Sequence, residues 1–240
     1  MKLMSLSVTE RMAALDWTSI QTELDEQGYA HIPALLSEEE CQELLDTYEN
    51  EELFRSTIQM ARHRFGLGEY KYYQTPLPGL LQQLREAFYP ELSMTANRWL
   101  ERLGKEPIYP PVLMKFLDHC HENGQWRPTP LILKYEAGGF NCLHQDLYGD
   151  VFFPFQVVFV LNQKELDYTG GEFLLVEQRP RAQSRGHVIT LNRGEALIFP
   201  THHRPVQGSR GYYKNTLRHG VSTVTSGTRY SLGIIFHDAK

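Results

Sequence analysis

No apolar run in the 240-residue chain approaches the roughly 20 residues that a helix needs to cross a bilayer, so a membrane-spanning helix is not expected. The opening "MKLMSLSVTERMAALDW" is broken by Thr9, Glu10 and Arg11 and has no signal-peptide apolar core. Cysteine is scarce. Cys41, Cys120 and Cys142 are odd in number and show no C-x-x-C spacing, which disfavours both a disulfide framework and a cysteine-based structural zinc site. Reduced thiols and a cytoplasmic location are the expectation. The paired glycines Gly138 and Gly139 open neither a phosphate-binding loop nor a dinucleotide fingerprint, and read as turn formers. Nor is there an internal repeat, a low-complexity tract or a clear linker.

The net charge of −5 argues against a protein that coats nucleic acid, but it is unevenly spread. Between residues 179 and 218 eight basic residues face the single acid Glu195, a local charge of +7. That stretch is either a solvated arginine-rich loop or an electropositive rim for an anionic partner. Its centre, "THHRPVQGSRGYYKNTL" (201–217), sets Tyr212 and Tyr213 among Arg204, Arg210 and Lys214. Such a mix can stack bases and meet phosphates, or simply decorate a hairpin.

The first third reads helical. Ser37 and Glu40 stand at capping-box spacing before an apolar face of Cys41, Leu44, Leu45 and Tyr48. A second helix is expected over 79–104, broken or bent near Pro90, and a third over 111–124, ending at Gly124. After "RPTP" (127–130) the pattern becomes a succession of short β-rich runs: 131–137, 155–162, 172–177, 187–191, 195–200, 217–225 and 229–237. Strands without intervening helices point to an antiparallel sandwich or barrel. The expected organisation is a helical N-terminal layer over 1–126 on a β core over 127–240, integrated as one domain.

Within the core, "NCLHQDLYGD" (141–150) places His144 and Asp146 two residues apart. On an extended backbone residues i and i+2 point the same way and can grip one ion. Two histidines and one carboxylate on one face of an octahedral Fe(II) leave positions open for substrate and O2. The third ligand must come from a distant strand, with His187, His202, His203, His219 and His237 available. His219 stands out because it lies in a strand-like run and Arg229-x-Ser231 follows ten residues later, across the "TSGT" turn. A cation there could grip a carboxylate beside the metal, and the planar guanidinium suits that task better than lysine. Two histidines and a carboxylate also suit zinc, but a zinc hydrolase would leave Arg229 without a role.

The order Tyr135, His144-Gln-Asp146, His219, Arg229-x-Ser231 resembles the Fe(II)/2-oxoglutarate-dependent dioxygenases over residues 127–238. More narrowly, "RPTPLILKY", "HQDLYGD" and "VEQRPRAQSRG" resemble a bacterial branch described as oxygenases acting on damaged DNA. The resemblance implies a mainly β, α+β chain with a double-stranded β-helix (jelly-roll, cupin-like) core. It implies Fe(II) on His144, Asp146 and His219, and 2-oxoglutarate with its distal carboxylate on Arg229 and Ser231, beside Tyr135. O2 would cleave 2-oxoglutarate to succinate and CO2 and drive oxidation of a substrate C–H bond. Tyr148, Arg204, Arg210, Tyr212 and Tyr213 are the candidate contacts to a macromolecular substrate, nucleic acid or protein.

Two departures bear on the substrate. AlkB-type demethylases carry a second arginine six residues after the first, where this chain has Ile235, and an asparagine where it has Leu133. Prolyl hydroxylases are similar around "YEAGGF", "HQD" and "GTRYSL" but usually carry lysine in place of Arg229. A protein side-chain hydroxylase is therefore the alternative substrate class. A non-catalytic cupin-like binding module would have no physical need for the ligand set.

Overall fold

A computed structural model describes residues 6–240. Of the opening segment, residues 1–5 lie outside the described residues, and the rest forms a short helix. In chain order the elements begin with α1 (Val8–Ala13), α2 (Trp17–Gln27), β1 (Ala30–Ile32) and α3 (Glu38–Asp46). β2 (Phe54–Gln59), α4 (Met60–His63), β3 (Gly66–Leu67), β4 (Glu69–Tyr73), α5 (Gly79–Arg102) and α6 (Leu113–Glu122) follow. The remaining strands are β5 (Leu131–Glu136), β6 (Phe140–His144), β7 (Phe155–Val160), β8 (Tyr168–Gly170) and β9 (Phe173–Gln178). β10 (Arg185–Ile189), β11 (Ala196–Pro200), β12 (His203–Gly208), β13 (Gly211–Val221) and β14 (Val224–Ile235) complete the chain.

Two antiparallel sheets face each other. One runs β1–β11–β7–β14–β5–β4–β2, with β8 on β14, and the other runs β10–β9–β13–β6–β3, with β12 on β13. The chain crosses between them in the sequence β5, β6, β7, β9–β10, β11, β13, β14, so four core strands lie in each sheet: a double-stranded β-helix. Alternation along β7 explains why all six of its residues are buried. Val158 and Val160 point between the sheets, where they pack with Tyr135, Phe173, Leu175 and Phe199. Val157 and Phe159 point outward into a second cluster built on α5, including Leu84 and Phe88. Phe88 meets Phe159 edge-on, with ring centroids 6.1 Å apart.

The N-terminal segment supplies strands as well as the expected helices. β1, β2 and β4 extend the first sheet and β3 extends the second. None of these shows a long period-two apolar pattern; β2, "FRSTIQ", buries only Phe54, so pairing with the core selects the strand conformation. The apolar cluster under α5 draws on residues from both halves of the chain. The Ser37–Glu40 capping box forms as expected. α5, by contrast, runs 24 residues through Pro90 without a break. Pro90 is exposed while Phe88, Tyr89, Leu92 and Ala96 are buried, so the hydrogen bond it removes lies on the solvent side, where water can satisfy the freed carbonyl.

α5 is also pinned by Arg85, which is 3% exposed. Its guanidinium donates to the Ile235 carbonyl (3.1 Å), the Phe236 carbonyl (2.9 Å) and Asp238 Oδ1 (3.1 Å). This clamps the helix to the end of β14, the strand that carries Arg229. Because removing one partner strands a buried charge, Arg85→Ala should lower unfolding free energy by about 3–5 kcal/mol in a denaturant titration. A loss below about 1 kcal/mol would show that the clamp is not structural.

Candidate metal and co-substrate site

β6 and β13 pair so that His144 lies directly opposite His219. Two residues further along β13, Val221 already faces Asn141, so β6 carries one extra residue as a bulge just before His144. The strands approach so closely there that a Cβ on Gly220 would stand 2.6 Å from the Asn141 carbonyl oxygen. Only glycine permits that approach without displacing β6. Beyond His144 the chain is held by Gln145, whose side-chain amide donates to the Leu217 carbonyl (2.7 Å) and the His202 carbonyl (3.2 Å). Asp146 is thereby turned in beside both histidines.

One donor atom each from His144, Asp146 and His219 lies within 4.8 Å of the others. Asp146 Oδ2 is 3.2 Å from His219 Nε2, and Oδ1 is 3.6 Å from His144 Nε2. These separations suit three ligands on one face of a single ion. His144 Nδ1 lies 2.7 Å from the Cys142 carbonyl. A carbonyl only accepts, so the proton sits on Nδ1 and the Nε2 lone pair is left for a metal. Burial, then the neighbouring His144, lowers the pKa of His219, keeping its imidazole neutral. Burial alone would raise the Asp146 pKa. Hydrogen bonding and charge from His219, charge from His144 and a hydrogen bond from Tyr148 outweigh it and hold the carboxyl below its ordinary range. The Tyr148 hydroxyl donates to Asp146 Oδ1 at 2.6 Å and accepts from Tyr72 at 2.9 Å.

A cavity of about 330 Å³ opens from this triad and reaches Arg229, Ser231 and Tyr135. Arg229 is 1% exposed. Its Nη1 donates to Ser231 Oγ at 2.9 Å, while Nε is buried with no partner. Among the described residues no carboxylate pairs with it. A buried cation left in this condition demands an anion, and a ligand carboxylate fits both its charge and its fork. Gly171 at φ +65° makes room, since a Cβ there would lie 2.8 Å from Arg229 Cδ. Tyr135 lies opposite Arg229 in the β5–β14 pairing, and its hydroxyl accepts from Asn141 Nδ2 at 3.2 Å. Burial keeps the Tyr135 phenol protonated by raising its pKa, against the opposing charge of Arg229.

The other sequence-derived candidates lie elsewhere. His202 and His203 sit beside one another, Nδ1 to Nδ1 at 3.1 Å, outside the triad. Arg204 is not at an electropositive rim: it is 5% exposed, its Nε pairs with the buried Glu177 at 2.8 Å and its Nη1 donates to the Asp25 carbonyl. Arg210, Tyr212 and Tyr213 are exposed on the β12–β13 hairpin and do not line the cavity, and Arg102 stacks over the Tyr212 ring at 5.3 Å. Tyr148 does line it. Arg64, Phe65, Tyr72 and Gln156 also line it, and no sequence motif marked them because packing alone brings them there.

Residues 68–239 match the family model Oxygenase-NA, described as an oxygenase catalysing oxidative methylation of damaged DNA. The uncharacterised protein Rv2227 of Mycobacterium tuberculosis is 49% identical over 185 residues, 77% of this chain and 78% of that protein. Among solved structures, a Pseudomonas putida prolyl-4-hydroxylase aligns with a TM-score of 0.57 at 15% identity, over 93% of this chain and 100% of that one. A prolyl hydroxylase from Trichoplax adhaerens, solved with a hypoxia-inducible-factor degradation-domain peptide, aligns with a TM-score of 0.57 at 18% identity, over 96% and 90%. A Burkholderia pseudomallei oxidoreductase of the 2-oxoglutarate–Fe(II) oxygenase family gives 0.56 at 15%, over 92% and 91%. At these identities the structural likeness speaks for the fold alone. With the family match running through the whole β-helix, the chain belongs to the Oxygenase-NA family.

Proposed function

We propose that this protein oxidises a C–H bond of a damaged or methylated base in nucleic acid, coupled to conversion of 2-oxoglutarate and O2 to succinate and CO2. His144, Asp146 and His219 hold the Fe(II), and Arg229 with Ser231 holds the distal carboxylate of 2-oxoglutarate. The observation that carries the reading is the buried, anion-demanding guanidinium at one end of a cavity whose other end is the triad. A zinc hydrolase or a bare binding barrel needs no such cation. The bound iron supplies activation of O2 against the co-substrate; the protein's residues orient the reactants and exclude water.

Each residue's part follows from its surroundings. Asp146, kept anionic, would offset the metal's charge, and one ring nitrogen of each histidine would complete the ligand face. Tyr148 ties up one lone pair of Asp146 Oδ1 and fixes the carboxylate plane. Phe173 and Phe199 pack on the His219 ring, with centroids 5.8 and 4.7 Å away, and set its orientation. The substrate class is supported by the family's description, which names damaged DNA. Coupling to 2-oxoglutarate brings an oxygen atom and no methyl group, so on a methylated base the supported reaction is oxidation of the methyl.

Metal and co-substrate binding separate by mutation. Anaerobic Fe(II) titration, followed calorimetrically, should show one tight site per chain that His219→Ala abolishes while His203→Ala leaves it intact. The reverse pattern would overturn the ligand assignment. Arg229→Ala should raise the apparent KM for 2-oxoglutarate by about two orders of magnitude, at about 1.4 kcal/mol per tenfold, with little change in iron affinity. Arg229→Lys should recover part of that loss, since charge returns without the fork. Equal loss of iron and 2-oxoglutarate binding in Arg229→Ala would make the arginine structural instead.

A further inference from the structure

Gln156 is 4% exposed, lines the cavity and has its amide nitrogen buried without a hydrogen-bond partner. An unpaired buried amide is uncommon enough to call for a ligand. The β7–β14 register sets Val160 opposite Ser231, Val158 opposite Gly233 and Gln156 opposite Ile235. Residues 156, 158 and 160 share a strand face, and four residues at about 3.3 Å each put Gln156 about 13 Å along the strand from the level of Ser231. A five-carbon diacid anchored on Arg229 and Ser231 does not extend that far. The Gln156 amide is therefore left for whatever enters from the other end.

At the cavity mouth stand the end of α4 and the turn that follows it. Arg62, His63, Arg64 and Phe65 are all exposed, and Arg64 takes a left-handed backbone at φ +61°. Phe65 is 46% exposed and lies flat on the His63 ring, with centroids 5.3 Å apart and planes 21° apart. Its carbonyl accepts from the Cys142 amide at 2.8 Å, which ties the turn to β6 two residues before His144. Arg64 and Phe65 line the same cavity as the triad. No ion pair among the described residues holds either guanidinium. Arg64 on the cavity lining, Arg62 two residues before it and the open Phe65–His63 platform are complementary to phosphates and a base face.

We propose that this turn and Gln156 form the substrate subsite. A single-stranded nucleotide chain crosses Arg62, Arg64 and the Phe65–His63 platform, and one base enters the cavity to meet the Gln156 amide. This rests on the nucleic-acid reading above and moves the binding surface away from the 201–217 hairpin. The amide can offer a donor and an acceptor together, the pairing that suits the edge of adenine.

The test uses anaerobic enzyme with Fe(II) and 2-oxoglutarate and a fluorescein-labelled single-stranded oligonucleotide carrying one N-methylated adenine. In anisotropy titrations Arg62→Ala/Arg64→Ala should weaken binding at least tenfold at low salt. It should also flatten the dependence of log K on log salt by about 0.7 per lost phosphate contact. Phe65→Ala should weaken binding without changing that slope, and Arg179→Ala/Arg181→Ala should leave both unchanged. In turnover, Gln156→Leu and Gln156→Met should lower kcat/KM for the methyladenine strand about tenfold and shift its ratio to a methylcytosine strand, which a merely structural defect would not do. Wild-type binding that survives the turn substitutions, or a Gln156 effect equal on both bases, would overturn the subsite while leaving the proposed function standing. A wild-type enzyme that neither binds nor oxidises any oligonucleotide but hydroxylates peptides would overturn the proposed function itself.

Discussion

The antiparallel pairing of β6 with β13 is the constraint on which the site depends. It sets His144 against His219 across a single register position, although 75 residues separate them in the chain. Everything near that pair serves the register: the bulge before His144, the bare Cα of Gly220 beneath the Asn141 carbonyl, and the Gln145 amide bonds that bring Asp146 round. A slip of one residue would turn His219 to the opposite face of its strand and dissolve the cluster. The His144–Asp146–His219 cluster is thus a property of sheet closure rather than of the His-x-Asp motif alone.

A second constraint is electrostatic. Arg229 lies on β14 in the other sheet, buried among Tyr135, Tyr168 and the backbone of Gly171, and the protein gives it one neutral hydrogen bond to Ser231. Burying a cation with so little compensation is expensive, and the cost falls when an anion docks. The two sheets therefore carry complementary halves of one site: an imidazole and carboxylate cluster on the second, a bare guanidinium on the first. The Arg85 clamp on the end of β14 fixes where that second half stands.

Much of this was legible in the chain. The β-rich runs after residue 130 carry their own turn chemistry; Tyr135, His219, Arg229 and Ser231 fall on them and His144 and Asp146 between the first two, in an order that resembles a known oxygenase superfamily. What was not legible depended on tertiary contact. β1 to β4 are too short or too polar to announce themselves, and pairing with the core makes them strands. The helix expected to be broken or bent near Pro90 is not broken there, because the apolar face of α5 continues past it. Arg204 read as a free cation, yet Glu177, far off in sequence, buries it in an ion pair. The segment Arg62–Phe65 carries no motif in the sequence, and only its tie to Cys142 places it beside the His144–Asp146–His219 cluster.

On the proposed function, the protein divides O2 between 2-oxoglutarate and a substrate. Incubation of the purified protein with Fe(II), 2-oxoglutarate and isotopically labelled 18O2, followed by mass spectrometry of the succinate, tests it most directly. Decarboxylation converts a keto carbon into a new carboxylate, so one labelled oxygen should appear in the succinate, formed only with Fe(II) and strongly reduced in Arg229→Ala. Unlabelled products, or turnover supported equally well by Zn2+ without O2, would contradict the account.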